Sequence, residues 1–300
     1  MSARAGSATT RQANFRRTAS VRQLRDAEYL RPILESAGPY AAYAMAYLDP
    51  RIFHLAEFYE IVAGDRQALV MHARGGLGPS TLTCGDASLV QHLLDLHPGR
   101  RQAFLTCETG HTEAVLLTHN LWRPQTMMRM RLDPTDFKLP EEMAEVRRLT
   151  SVDSNDLNRL YQDEGTRHIG RQIVEGIYYG AFHRARLVAA AGTHIYSRRE
   201  GVGVVGNVYT HPDFRSHGLA TAVTAAVTQH LLDACDLIVL NVDPANRTAR
   251  HIYEQLGYKE AGRLVEAMAT RRSAHTPVPF FKRLLARHRS QANGSEVIDL

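Results

Sequence analysis

The passage from Val202 to Leu232, VGVVGNVYTHPDFRSHGLATAVTAAVTQHLL, narrows the folds open to this chain more than any other stretch. Its β-branched run over residues 203–210 reads as a strand, Pro212 turns the chain, and the spacing RxxGxA (Arg215, Gly218, Ala220) opens a helix. Leu219, Val223, Val227 and Leu231 then form one apolar stripe. The first N–H groups of such a helix lack intrahelical acceptors and the dipole behind them favours negative charge, so the opening turn can cradle a phosphate. A plain bend between strand and helix would use the same residues, so this passage alone leaves both readings open.

The second passage, LIVLNVDPANRTARHIYEQLGY over residues 237–258, repeats the step from strand to helix. Asn246 is placed to cap the helix, Tyr253 follows seven residues later on the same face, and Gly257 ends it. Taken together the two passages resemble the GNAT superfamily of N-acetyltransferases, in which RxxGxA and NxxAxxxYxxxG (Asn246, Ala249, Tyr253, Gly257) stand in this order. The resemblance covers roughly residues 140–272.

That resemblance implies an α/β chain with the GNAT fold, a mixed central sheet flanked by helices, and acetyl-CoA as cosubstrate. It implies that the pantetheine lies along Val208, Tyr209 and Thr210, and that the pyrophosphate meets Arg215, Ser216, His217, Gly218, Leu219, Ala220 and Thr221. Asn246 matches the asparagine that contacts the cofactor, and Tyr253 the tyrosine that protonates the departing thiolate. A thiolate leaves more readily when a phenol is hydrogen-bonded to it. A backbone N–H near Tyr209 is the candidate donor to the thioester oxyanion. Some members carry a glutamate base five residues before the asparagine, where this chain has Asn241. The base candidates are therefore His194, Glu164 and Asp243, or a water they hold, with His194 as the choice. Each has a plainer reading: a satisfied strand histidine, a solvated charge and a turn cap.

Two further signals are decoys. Gly201, Gly203 and Gly206 spell GxGxxG, but a strand follows them where a dinucleotide site needs a helix, so Gly206 reads as room for a bulge or a close ligand. His211, His217, His230 and His251 do not share metal-ligand spacing, so no metal site is expected.

Charge argues about partners through its location. The 300 residues carry a formal +5, yet residues 1–25 hold six arginines and no acid, and residues 271–300 hold a net +4, which leaves −5 for the body. Nucleic acid is thus not expected as a partner, and a small-molecule amine is. Three cysteines without a CxxC pair support neither a disulfide framework nor a cysteine zinc site. The arginine bias, with only three lysines, is typical of GC-rich bacterial genomes. No apolar run reaches the roughly 18 residues of a membrane span, so no membrane partner and a cytoplasmic enzyme are expected.

The expected organisation is a disordered basic tail (1–25), an N-terminal domain (26–138), the catalytic domain (139–272) and a C-terminal tail (273–300), with a proline-bounded linker over residues 133–140. The N-terminal domain lacks the cradle and the Asn–Tyr pair but shares the strand-rich texture, and it looks like a degenerate copy of the same fold that walls the acceptor pocket. Trp122 and Met127 to Met130 are its wall candidates, with core packing the plainer reading. The chain is expected to transfer acetyl to an amine by direct attack in a ternary complex, as a monomer or homodimer. The alternatives are an acyl-CoA sensor without turnover and, less favoured, nucleic-acid binding through the basic ends.

Overall fold

A computed structural model describes residues 18–75, 78–162, 171–272 and 296–299. The first half runs β1 (Thr18–Leu24), α1 (Ala27–Ser36), α2 (Ala42–Ala46), β2 (Ala56–Ala63), β3 (Arg66–Ala73), β4 (Ser80–Gly85), α3 (Ala87–Leu96), β5 (Gln102–Glu108), α4 (Thr112–Thr118) and β6 (His119–Leu132). The second runs β7 (Arg147–Arg148), α5 (Ser154–Gln162), α6 (Arg171–Glu175), β8 (Tyr178–His183), β9 (Arg186–Ser197), β10 (Val202–Thr210), α7 (Leu219–Leu232), β11 (Leu237–Val242), α8 (Arg247–Gln255) and β12 (Lys259–Arg271). A last strand, β13 (Glu296–Asp299), pairs with β1.

The strands form one sheet in the order β13-β1-β2-β3-β4-β5-β12-β6-β11-β10-β9-β8-β7. Read inward from β1 and inward from β7, the succession is the same, and the parallel pair falls at β4/β5 in one half and β10/β11 in the other. Two copies of one topology therefore meet at the centre. There they exchange strands: β12, from the second half, pairs with β5 and β6, while β6, from the first half, pairs with β11. The boundary at residue 138 divides the chain in sequence, but the sheet runs across it.

Helices cover both faces. On one face of the second half, α7 and α8 enclose Val223, Val227, Leu231, Leu240, Tyr253 and Leu256, with Met128 and Met130 from β6 joining them. On the opposite face α2 of the first half lays Ala42 and Ala46 on Val202, Val204 and Val239. The first half thus covers part of the second half's sheet through α2. Trp122 is 63% exposed beneath the Arg123 guanidinium, and Met128 and Met130 are core.

The ends need correction. Residues 18–24, inside the expected disordered tail, form β1, where Ala19 and Val21 are buried and Arg22 pairs with Glu60 at 2.6 Å. The arginine-rich composition masks a short period-2 pattern that becomes stable only when β2 supplies its ladder. Residues 296–299, inside the expected C-terminal tail, are likewise paired as a strand. The rest of both tails lies outside the described residues. No helix among the described residues is long and apolar enough to cross a membrane.

Candidate active site

The parallel ladder between β10 and β11 stops at Val205 and Leu240, although β10 continues to Thr210 and β11 to Val242. Two strands that part in this way leave backbone groups for a third party. The departure is driven by irregularity against β9, whose register shifts between Val204 and Val205 and between Gly206 and Tyr209. Asn207 takes the left-handed conformation there, at φ 54°, which asparagine tolerates better than most residues.

Asn207 is anchored on every side. Its carbonyl accepts from the Tyr161 hydroxyl, its Nδ2 donates to the Tyr178 hydroxyl at 2.8 Å, and its Oδ1 faces His194 Nε2 at 3.2 Å. That orientation makes Nε2 the donor, so His194 Nδ1 accepts from the Tyr43 hydroxyl at 2.7 Å. Tyr43 belongs to α2 of the first half. Gly206 accommodates the imidazole, since a Cβ there would lie 2.2 Å from His194 Nε2. Sequence reasoning missed Asn207, Tyr161, Tyr178 and Tyr43. An asparagine interrupting a valine-rich strand was a usable signal for the first, but nothing local marks Tyr43.

Of the expected pantetheine strand, Val208 packs on the α7/α8 core, Tyr209 is buried with its ring 6.0 Å from Tyr161, and Thr210 Oγ1 is buried without a hydrogen-bond partner. Beyond it the chain enters the turn that precedes α7. Ser216 (φ 63°) and Gly218 (φ 71°) are both left-handed, and Gly218 caps α7 with no side-chain hydrogen bond. Arg215 Nε donates to the Thr210 carbonyl at 3.2 Å and His217 Nδ1 to the Arg215 carbonyl at 2.7 Å, so both side chains brace the turn. The backbone N–H groups of Ser216, His217, Gly218, Leu219, Ala220 and Thr221 find no acceptor among the described residues. A Cβ at Gly218 would meet nothing within 4 Å, so the space in front of these donors is open.

Asn246 caps α8, its Oδ1 accepting from Ala249 N at 3.0 Å. Tyr253 lies in the last turn of α8, buried, its ring 6.2 Å from that of Tyr258 in an edge contact. Burial pushes its phenol up to about 12. No described residue hydrogen-bonds that hydroxyl. Val208, Leu219 and Ala249 pack on the same cluster as Tyr253, which brings the strand end, the start of α7 and α8 together.

Among the base candidates, His194 has the placement just described, Asp243 caps its turn by accepting from Ala245 N at 2.8 Å, and Glu164 lies outside the described residues. Asn241 holds a carboxylate that no local spacing announces: its Nδ2 donates to Glu266 Oε1 of β12 at 2.6 Å. No cluster of three or more metal-ligating side chains occurs among the described residues. The GxGxxG glycines serve packing, with Gly201 in a turn at φ +63° and Gly203 against Leu231.

The first half has the same framework with its openings closed. The β4/β5 ladder stops at Leu82 and Thr106, but the Tyr40 hydroxyl donates to the Thr83 carbonyl at 2.6 Å, and His111 joins Thr83 Oγ1 at 2.9 Å to the Gly85 carbonyl at 2.8 Å. Asp86 caps α3, accepting from Ser88 N and Leu89 N, and the Ser88 hydroxyl together with these two N–H groups holds its carboxyl below the usual range. The donors that a phosphate would meet in this half are taken by a carboxylate of the chain itself.

Two such units joined in one sheet make the GNAT fold in tandem. The family model described as FR47-like protein matches residues 178–269, which span β8 to β12. Among solved structures, the chain resembles a GNAT-family acetyltransferase candidate from Novosphingobium aromaticivorans at 18% identity and TM-score 0.54, covering 77% of this chain and 96% of that one. A Drosophila protein aligns at 14% identity and TM-score 0.61, over 82% of this chain and 98% of its own. A tandem GNAT protein from the clavulanic acid biosynthesis pathway aligns at 12% identity and TM-score 0.52, over 86% of this chain and 100% of its own. No curated protein matches the chain.

Proposed function

We propose that the second half binds acetyl-CoA and transfers its acetyl group to the amine of a small molecule. The observation that carries this reading is the set of backbone N–H groups from Ser216 to Thr221, without described acceptors, standing beside the point where β10 leaves β11. Such a turn suits a pyrophosphate, and the parted strands suit an extended amide chain. Acetyl-CoA would supply an activated thioester there.

The residues then divide the work. Residues 215–221 hold the pyrophosphate, and Val208, Tyr209 and Thr210 offer backbone groups to the pantetheine, with Asn246 at the adjacent helix start. Tyr253, kept protonated by burial, donates to the leaving sulfur. The acceptor amine must lose a proton before it attacks the thioester carbonyl, and His194 is the residue assigned to receive it at Nδ1 through the Tyr43 hydroxyl, which takes up the amine proton as it gives its own to the ring, while Asn207 fixes the ring at Nε2. Cytoplasmic location and a cationic acceptor, suggested by the acidic body, belong to the same proposal.

Two measurements test it: titration of the protein with acetyl-CoA, and release of free CoA in the presence of a panel of amines. Binding with amine-dependent release supports the enzyme. Binding without release from any amine supports an acyl-CoA sensor, and no binding at all removes the proposal.

A further inference from the structure

The guanidinium of Arg129 is the least satisfied buried group among the described residues. It stands on β6 at the centre of the sheet, 1% exposed, and Nε, Nη1 and Nη2 are all buried without a hydrogen-bond partner. Its neighbours act on it through their fields alone. The Tyr43 ring lies 5.5 Å away, and the Glu266 carboxylate spends its hydrogen bond on Asn241. Burial accordingly lowers the pKa of Arg129 and raises that of Glu266. A guanidinium carries five donors in a planar fork, and burying them unmade is strongly unfavourable unless something else accepts.

Arg129 lines a cavity of about 450 Å³ with Ser36, Tyr40, Cys84, Glu108 and Arg263 among its other walls. That volume falls in the range of small-molecule sites. It lies at the carboxyl ends of β4 and β5, in the half whose phosphate turn is closed by Asp86, so it is separate from the cradle at α7. Glu108 is the only acidic residue of the lining.

We propose that this cavity binds a small amino acid or a closely similar amino-carboxylate. The Arg129 fork, whose nitrogens are buried in the cavity's wall, turns toward the ligand so that its carboxylate accepts two parallel N–H···O bonds, and the ammonium group of the ligand faces Glu108. A phosphate dianion fits less well, because it would bring a second negative charge toward the Glu108 carboxylate, where an amino acid brings its ammonium group.

The test is calorimetric titration of the full chain with glycine, L-alanine, L-glutamate and L-phenylalanine, with acetate and inorganic phosphate as controls. At least one amino acid should bind with one-to-one stoichiometry, acetate at least about tenfold more weakly, and phosphate not at all at about 10 mM. Arg129→Met should weaken the amino acid at least about tenfold while acetyl-CoA affinity stays as in the wild type, and Arg129→Lys should restore part of the loss. If Arg129→Met does not fold, Ala261→Trp, at an exposed residue of the lining, should abolish binding by filling it. Absence of binding by every amino acid, phosphate binding as tightly as an amino acid, or unchanged binding in both Arg129→Met and Ala261→Trp would overturn the proposal. Acetyl-CoA is titrated on the same samples, so failure of the acetyltransferase reading and failure of this one appear separately.

Discussion

Asp86 and Gly218 hold the same place in the two halves, each capping the helix that follows the first strand of a parallel pair, and they treat the helix opening in opposite ways. Asp86 extends a carboxylate over Ser88 N and Leu89 N, whereas Gly218 has no side chain to offer and leaves the donors of α7 exposed. One topology thus carries a sealed turn and an open one.

Gly218→Asp should convert the open turn toward the sealed one. The new carboxylate competes for the N–H groups and repels a pyrophosphate, so acetyl-CoA affinity should fall at least about tenfold, roughly 1.4 kcal/mol. Calorimetric titration of the variant measures this, and unchanged affinity would remove the turn as the phosphate site.

Tyr253→Phe should lower kcat by about ten- to a hundredfold and leave acetyl-CoA affinity close to that of the wild type. The phenol is held up to about 12 by burial, so it should stay protonated, and the wild-type rate should not fall through its ionisation, below about pH 11. Steady-state kinetics from pH 7 to 10.5 on both proteins check both statements.

Buried tyrosines should also set the alkaline limit of the fold. Burial raises Tyr178 and Tyr253 to about 12 and pushes Tyr40, Tyr43 and Tyr258 up as well. Because the folded values lie above the unfolded one, the unfolded chain loses protons first. Stability is therefore intact below about pH 10 and drains away as pH rises toward 12. Thermal melts from pH 8 to 11.5, with tyrosinate absorbance at about 295 nm as a second readout, should show ionisation of these residues coinciding with unfolding.

Gly206→Ala should destabilise the protein by about 1–3 kcal/mol, since its Cβ would sit 2.2 Å from His194 Nε2. In the double variant with His194→Ala the penalty should largely disappear. A denaturant cycle measures the coupling, and additive losses would show that the imidazole is not what Gly206 accommodates.

Residues 139–272 expressed alone should fail to form a cooperatively folded monomer. Both partners of β12 come from the first half, and β11 would be left with a bare edge where β6 belongs. Size-exclusion chromatography and thermal melts of that fragment would settle the point, a sharp monomeric transition being the adverse outcome.

The two helix starts were legible because their signals are local. RxxGxA and Asn246 act within one helical turn, and the structure brings both helix starts to the side of β10 on which Tyr253 lies. The tails were misread because β1 and β13 owe their existence to partners in space, and seven residues of weak alternation become a strand only when a neighbour closes the ladder. Tyr43 and Glu266 approach His194 and Asn241 from 151 and 25 residues away.

By itself the sequence determined the order strand, helix, strand, helix over residues 203–256, the open turn at Gly218 and the helix that carries Tyr253, because those depend on spacing of a few residues and on backbone hydrogen bonds made close by. Only the tertiary structure decided that β6 and β12 change places, that Tyr43 of one half holds His194 of the other, and that Arg129 is buried without a partner. Strand pairing and burial are contacts between segments far apart in the chain, and their free energy exists only once the sheet has closed around them.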